Sequence, residues 1–242
     1  MTEQTVFDSN RVRPDWRRMG LGAFLLSWTE ARARQRPSSA SDRLPAVFRA
    51  DLYEWQSDRV ALYRQFGYEP ARHFVEMARA LTEIPPPSPP EGVDILPWEP
   101  GLSEGVREAH NAAFANHYGS QPIMPADWEP GLDEFFLPWA SRVALEAARP
   151  VAYLLAHAYP HDFEDRARRE AWIEGLGTIR SHRRRGIATT LLLEAMRELR
   201  DAGYEYACLT VDTESPTRAV ALYEKLGFTV ERSRIEYAKV LM

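Results

Sequence analysis

Apolar positions along the chain alternate between helical and strand-like periods. Leu21, Leu25 and Trp28 recur at helical spacing, and Pro37 closes that pattern; Val12 and Pro14 just upstream read as the end of a strand. After a polar loop at 37–43, Ala46–Leu52 predicts a strand and Ser57–Phe66 a helix stopped by Gly67. Tyr68–Leu81 predicts an extended run with His73, Val75 and Met77 on one face. Five prolines between Glu83 and Gly92 predict a semi-rigid linker and a domain boundary. Beyond it, Val93–Leu96 is strand-like, Leu102–Ala115 helical, and Asp127–Trp139 a second, less regular helix. Arg142–Ala147 and Val151–Tyr159 predict a hairpin, and the charged stretch His161–Glu170 a solvated loop. Ala171–Leu176 is a strand. A helix with Ile187, Leu191, Ala195 and Leu199 on one face then runs to Gly203. Ala207, Leu209 and Val211 alternate as a buried strand. Ser215-Pro216 opens a helix ending at Gly227, and two strands, Phe228–Arg234 and Ile235–Leu241, close the chain.

Composition narrows what such a chain does. At 242 residues and 45% hydrophobic content it can bury one large core or two smaller ones. A net charge of −5 argues against a dedicated nucleic-acid binder. The single cysteine, Cys208, excludes an intramolecular disulfide framework, fits a reducing compartment, and reads as a small apolar residue in a buried strand. Residues 1–10 show no basic region followed by an apolar run, and Leu21–Trp28 is too short to span a bilayer, so a cytoplasmic protein without membrane partners is expected. No metal-ligand spacing occurs; His157 and His161 stand alone near a hairpin end.

The candidate chemistry lies in Thr178–Thr190, an arginine-rich turn between a strand and an amphipathic helix. Gly186 and Ala188 let a ligand anion approach the backbone, and the helix start offers unpaired N–H groups and the positive end of the helix dipole. Neither Gly-Lys-Ser/Thr nor Gly-x-Gly-x-x-Gly is present. The pattern has a partner upstream. Arg17-x-x-Gly20-x-Gly22 matches Arg183-x-x-Gly186-x-Ala188, and Ala61–Tyr68 matches Ala221–Phe228. Glycine and tyrosine lie 43 residues apart in the first copy and 37 in the second, and Tyr63 and Tyr223 are 160 apart. That offset predicts a partial first repeat (1–82) lacking the elements that precede its turn, a linker (83–92) and a complete second domain (93–242).

These motifs resemble the GCN5-related N-acetyltransferase (GNAT) family, whose acyl-CoA motif Arg/Gln-x-x-Gly-x-Gly/Ala is followed by a helix carrying Leu-Tyr-x-x-x-Gly-Phe. The tandem layout is similar to two-domain actinobacterial members. The resemblance implies the GNAT fold, an α/β mixed sheet whose fourth and fifth strands splay around acetyl-CoA. It implies an acetyl-CoA-dependent N-acetyltransferase acting on a small-molecule amine by direct attack on the thioester, with no metal. On the matching positions, the backbone of Leu176, Gly177 and Thr178 would bond the pantetheine and polarise the thioester. Arg183, Arg184, Arg185, Gly186, Ile187, Ala188 and Thr189 would hold the pyrophosphate, and the first turn would bind CoA weakly or not at all.

Tyr223 is the implied proton donor to the departing thiolate, with packing under the helix as its other use. At the strand position where several members carry a glutamate base, this chain has Trp172. Glu174 and Glu170 fall on the same face by alternation, and Glu174 is taken as the base acting through water. Asn116, His117, Tyr118 and Trp128 fall where the fold meets its acceptor, and Ser215 stands where asparagine is common. The competing reading is a non-catalytic acyl-CoA-binding or assembly module. Oligomeric state is left open, a homodimer included.

Overall fold

A computed structural model describes residues 4–7, 10–35, 46–129, 132–215, 217 and 219–241. In chain order the elements are β1 Gln4–Phe7, α1 Leu21–Arg34, β2 Ala46–Tyr53, α2 Ser57–Gln65, β3 Glu69–Ala80, β4 Asp94–Pro97 and α3 Ser103–Phe114. There follow α4 Pro125–Trp128, β5 Arg142–Glu146, β6 Arg149–His157, α5 Asp162–Arg166, β7 Glu170–Thr178, α6 Ile187–Asp201, β8 Tyr206–Asp212, α7 Ala219–Lys225 and β9 Thr229–Leu241. By its contacts the chain forms one unit of residues 1–75 with 232–242 and another of residues 76–231. The division passes through β3 and β9, whereas sequence reading placed it at the proline-rich stretch. That stretch packs within the second unit: the Ser88 carbonyl accepts from Thr190 Oγ1 (3.1 Å) and the Glu91 carbonyl from Arg185 Nη2 (3.3 Å).

The second unit is a mixed sheet. β4, β5, β6 and β7 pair antiparallel in succession, and β7 pairs parallel with β8 through the α6 crossover. α6 buries the predicted stripe of Ile187, Leu191, Ala195 and Leu199 and packs on β5, β6 and β7. α3 packs on β6 and β7, with Val106 and Ala109 in a core shared with Tyr153 and Trp128. In the first unit, β1 pairs parallel with β2, and β2 pairs antiparallel with β9. Leu26, Phe48, Leu52, Tyr63, Tyr68 and Tyr237 form its core. Arg49 and Glu236 pair within that buried region, and Lys239 Nζ sits 2.7 Å from Glu30 Oε1.

Several sequence expectations change. The helix expected over Asp127–Trp139 is one short turn, Pro125–Trp128; Pro130, two residues on in the sequence, has no backbone N–H with which to extend it. The charged stretch expected as a loop holds α5. Pro14–Trp16 is a 3₁₀ turn, not a strand end, and the last two strands are one, β9. The first turn does have a strand before it, β1. The helix stop at Pro37, the loop 37–43 and the cap partner Pro216 lie outside the described residues. Among the described residues no helix is long and apolar enough to cross a membrane.

Candidate active site

β7 and β8 run side by side for only four pairs, Glu170–Tyr206 to Ile173–Leu209. Beyond Ile173 the ladder stops while β7 continues to Thr178 and β8 to Asp212, so the strands open a gap. On its other side β7 stays paired to β6. Ile179 N–H bonds the Val151 carbonyl at 3.0 Å, in register with the Tyr153–Gly177 and Leu155–Gly175 pairs. Antiparallel alternation then turns the N–H and C=O of Leu176 and Thr178 away from β6, into the gap. Gly177 spends its backbone groups on β6, so its part in the site is its missing side chain. A Cβ there would lie 2.5 Å from the Tyr153 ring.

The turn after β7 completes the cradle. Arg183 Nε donates to the Thr178 carbonyl (3.1 Å) and Nη2 to the Ala113 carbonyl (2.7 Å), tying the turn to α3. Arg184 is exposed in left-handed backbone (φ 64°), and Gly186 caps α6 at φ 83°, a conformation that favours glycine. Arg185 Nη1 pairs with Glu146 Oε1 (2.8 Å), which His182 Nε2 also meets through Oε2 (2.7 Å). These two contacts hold the Glu146 carboxyl below its ordinary pKa, the His182 hydrogen bond first. The first intrahelical bond runs from Thr190 N–H to the Gly186 carbonyl (3.0 Å). It leaves the N–H groups of Ile187, Ala188 and Thr189 without helical acceptors at the mouth of the gap. Of the three arginines, then, Arg183 and Arg185 build the turn, and Arg184 presents charge outward.

The two carboxylates grouped by alternation separate in the structure. Between Leu155–Gly175 and Ala156–Ile173 the register slips by one residue, so Glu174 is the extra residue of a β-bulge. It is exposed and accepts from the Tyr159 hydroxyl at 3.3 Å. Burial, then the Glu174 charge, pushes the Tyr159 phenol pKa well up. Glu170 is 1% exposed and held by Arg166 Nε (3.2 Å), Arg168 Nε (2.7 Å) and Trp172 Nε1 (3.1 Å). A carboxylate so enclosed is structural, which removes Glu170 as a base. Burial also pushes the Cys208 thiol up, in keeping with an inert strand residue.

Tyr223, on α7, is buried edge-on to Phe228 (5.8 Å), and burial pushes its phenol up to about 12. Ser215 bonds locally, accepting from Thr217 N–H at 3.4 Å. In the expected acceptor region, Asn116 and Tyr118 are exposed. Trp128 is core, its Nε1 donating to Ser103 Oγ at 3.0 Å. One pair escaped the sequence reading. The Tyr153 hydroxyl lies 2.6 Å from His110 Nδ1, and the imidazole stacks on Phe114 (4.7 Å). The glycines at 175 and 177, both facing one ring, were the available signal.

The profile of the Acetyltransferase (GNAT) family matches residues 105–228, just over half the chain, a span holding both the turn and Tyr223. The chain belongs to this family. A mycothiol acetyltransferase of Catenulispora acidiphila is 30% identical over 93% of this chain and 70% of that protein. One of Thermobispora bispora is 33% identical over 90% and 70%. Among solved structures, a GCN5-related N-acetyltransferase from Sphaerobacter thermophilus shares 27% identity with a TM-score of 0.75, covering 98% of this chain and 72% of that one. This GNAT protein is an N-acetyltransferase that moves an acetyl group to an amine, and members of its family use acetyl-CoA as co-substrate.

Proposed function

We propose that acetyl-CoA sits in the gap between β7 and β8 and that its acetyl group passes to the amine of a small molecule. The observation carrying this is the end of the β7–β8 ladder at Ile173–Leu209, beside a helix start with three unpaired N–H groups. Acetyl-CoA supplies an acyl carbonyl activated by a thiol leaving group. The Leu176 N–H donates to the carbonyl oxygen, where negative charge grows as the amine nitrogen attacks. The N–H groups of Ile187, Ala188 and Thr189, with Arg184 beside them, hold the pyrophosphate. Glu174 accepts the amine's proton through a water at the bulge. As the C–S bond breaks, Tyr223 donates to the sulfur. With its pKa near 12, against about 8.5 for a typical thiol, Tyr223 stabilises the thiolate mainly as a hydrogen-bond donor; full proton transfer runs uphill.

The names of the relatives favour a second, finer reading, a mycothiol synthase-like enzyme with an acceptor of that class. We place the protein in the cytoplasm, working on a soluble amine without nucleic-acid or membrane partners. We also read residues 1–82 as a partial GNAT repeat before a complete domain at 93–242. Matched backbone geometry at the two turns supports this. Release of free CoA across a panel of amines tests the catalytic reading. Acetyl-CoA binding with no turnover on any amine would favour the non-catalytic module.

A further inference from the structure

We propose that Tyr153, anchored by His110, is a positioning residue that fixes the Gly175–Gly177 stretch of β7 facing the acyl-CoA gap. The inference rests on the proposed seat of acetyl-CoA and adds the device that keeps its carbonyl-binding strand in place. β7 has lost β8 as a partner here, and the bulge at Glu174 interrupts its ladder with β6. What supports the stretch on the α3 side is the Tyr153 ring. A Cβ at Gly175 would sit 3.1 Å from the ring, and one at Gly177 would sit 2.5 Å from it and 3.1 Å from the hydroxyl oxygen. The phenol therefore lies directly against backbone, at a distance only glycine permits.

The far end of the ring is pinned by the 2.6 Å contact between its hydroxyl and His110 Nδ1. His110 is itself wedged between Phe114 (4.7 Å) and Trp128 (5.7 Å). Burial keeps the Tyr153 phenol protonated by raising its pKa and keeps the imidazole neutral by lowering its own, so the phenol donates and Nδ1 accepts.

The test compares Tyr153→Phe, His110→Leu and His110→Gln by amide hydrogen exchange in the free protein, acetyl-CoA affinity and turnover. Tyr153→Phe keeps the ring and removes only the anchor. It should speed exchange of the Gly175 and Gly177 amides about fivefold, the worth of one hydrogen bond. It should also lower kcat while leaving acetyl-CoA affinity within about twofold of wild type. His110→Leu should behave the same way, and His110→Gln, which retains an acceptor for the phenol proton, should restore both readouts. Unchanged exchange in Tyr153→Phe, or faster exchange with unchanged kcat, overturns the proposal. A wild-type protein that does not bind acetyl-CoA overturns instead the reading on which it rests.

Discussion

The turn at Arg183–Gly186 and the turn at Arg17–Gly20 share their backbone build, with Met19 in the first where the second has Arg185. Arg184 and Arg18 adopt φ of 64° and 61°, and Gly186 and Gly20 adopt 83° and 80°. The preceding arginine in each folds its Nε back to the carbonyl five residues earlier, at 3.1 Å and 3.3 Å. Each helix leaves its first three N–H groups unused, because its first bonds are Thr190 to Gly186 and Phe24 to Gly20. Even the strand upstream corresponds. β1 pairs in parallel with β2 over four residues ending at Phe7, as β7 does with β8 up to Ile173, and both ends lie 13 residues before the glycine.

The difference lies in what surrounds each turn. α6 is buried along a full stripe, whereas α1 exposes Leu21, Phe24 and Trp28. Both Arg184 and Arg18 are exposed, but Arg18 pairs with Asp58 at 3.2 Å. The position matching Asp58 in the sequence is Arg218, outside the described residues. A carboxylate beside the first turn lowers the positive potential that would attract phosphate there. A local cradle is therefore not yet a site: the two turns share backbone and upstream strand and differ in charge and in the packing of the helix that follows.

That contrast can be broken in steps. The largest effect is expected from Glu170→Gln, which places in β7 the residue that β1 has at the matching position, Gln4. It strips Arg166 and Arg168 of a buried partner and should cost about 3–5 kcal/mol, read as a fall in Tm, with acetyl-CoA contacts untouched. Next, Tyr223→Phe should lower kcat about a hundredfold with little change in acetyl-CoA affinity, and Tyr63→Phe should leave kcat alone. Equal losses of kcat and affinity would reassign Tyr223 to packing. Because burial lifts the Tyr223 phenol to about 12, above the free value of about 10, its contribution to stability holds below pH 10 and fades from there to about 12. Alkaline unfolding over that window should flatten in Tyr223→Phe.

Gly186→Val and Gly20→Val force a β-branched residue into equivalent positive φ. Both should lose stability, but only Gly186→Val should also weaken acetyl-CoA binding, about tenfold or more. The smallest effect is Arg184→Ala, about threefold to tenfold weaker binding that fades with salt, while Arg18→Ala should be silent. Comparable losses from both arginines would erase the distinction between the turns.

Both turns could be read from the sequence because a glycine at positive φ after arginines is a local requirement, and so could the stripe of α6. The gap could not. Where a ladder stops is set by tertiary pairing, and the apolar run Ala171–Leu176 looks alike whether paired or splayed. The bulge was equally hidden, so alternation grouped Glu174 with Glu170. Arg166 and Arg168, which bury Glu170, read as part of a charged loop. His110 and Tyr153 are 43 residues apart, and only the spacing of Gly175 and Gly177 hinted that a large side chain must cross there.

The most direct test of the central claim is a calorimetric titration that counts acetyl-CoA molecules bound per chain. One equivalent, lost in Gly186→Val and retained in Gly20→Val, is the predicted result. Two equivalents, or a single one that survives Gly186→Val, would contradict it.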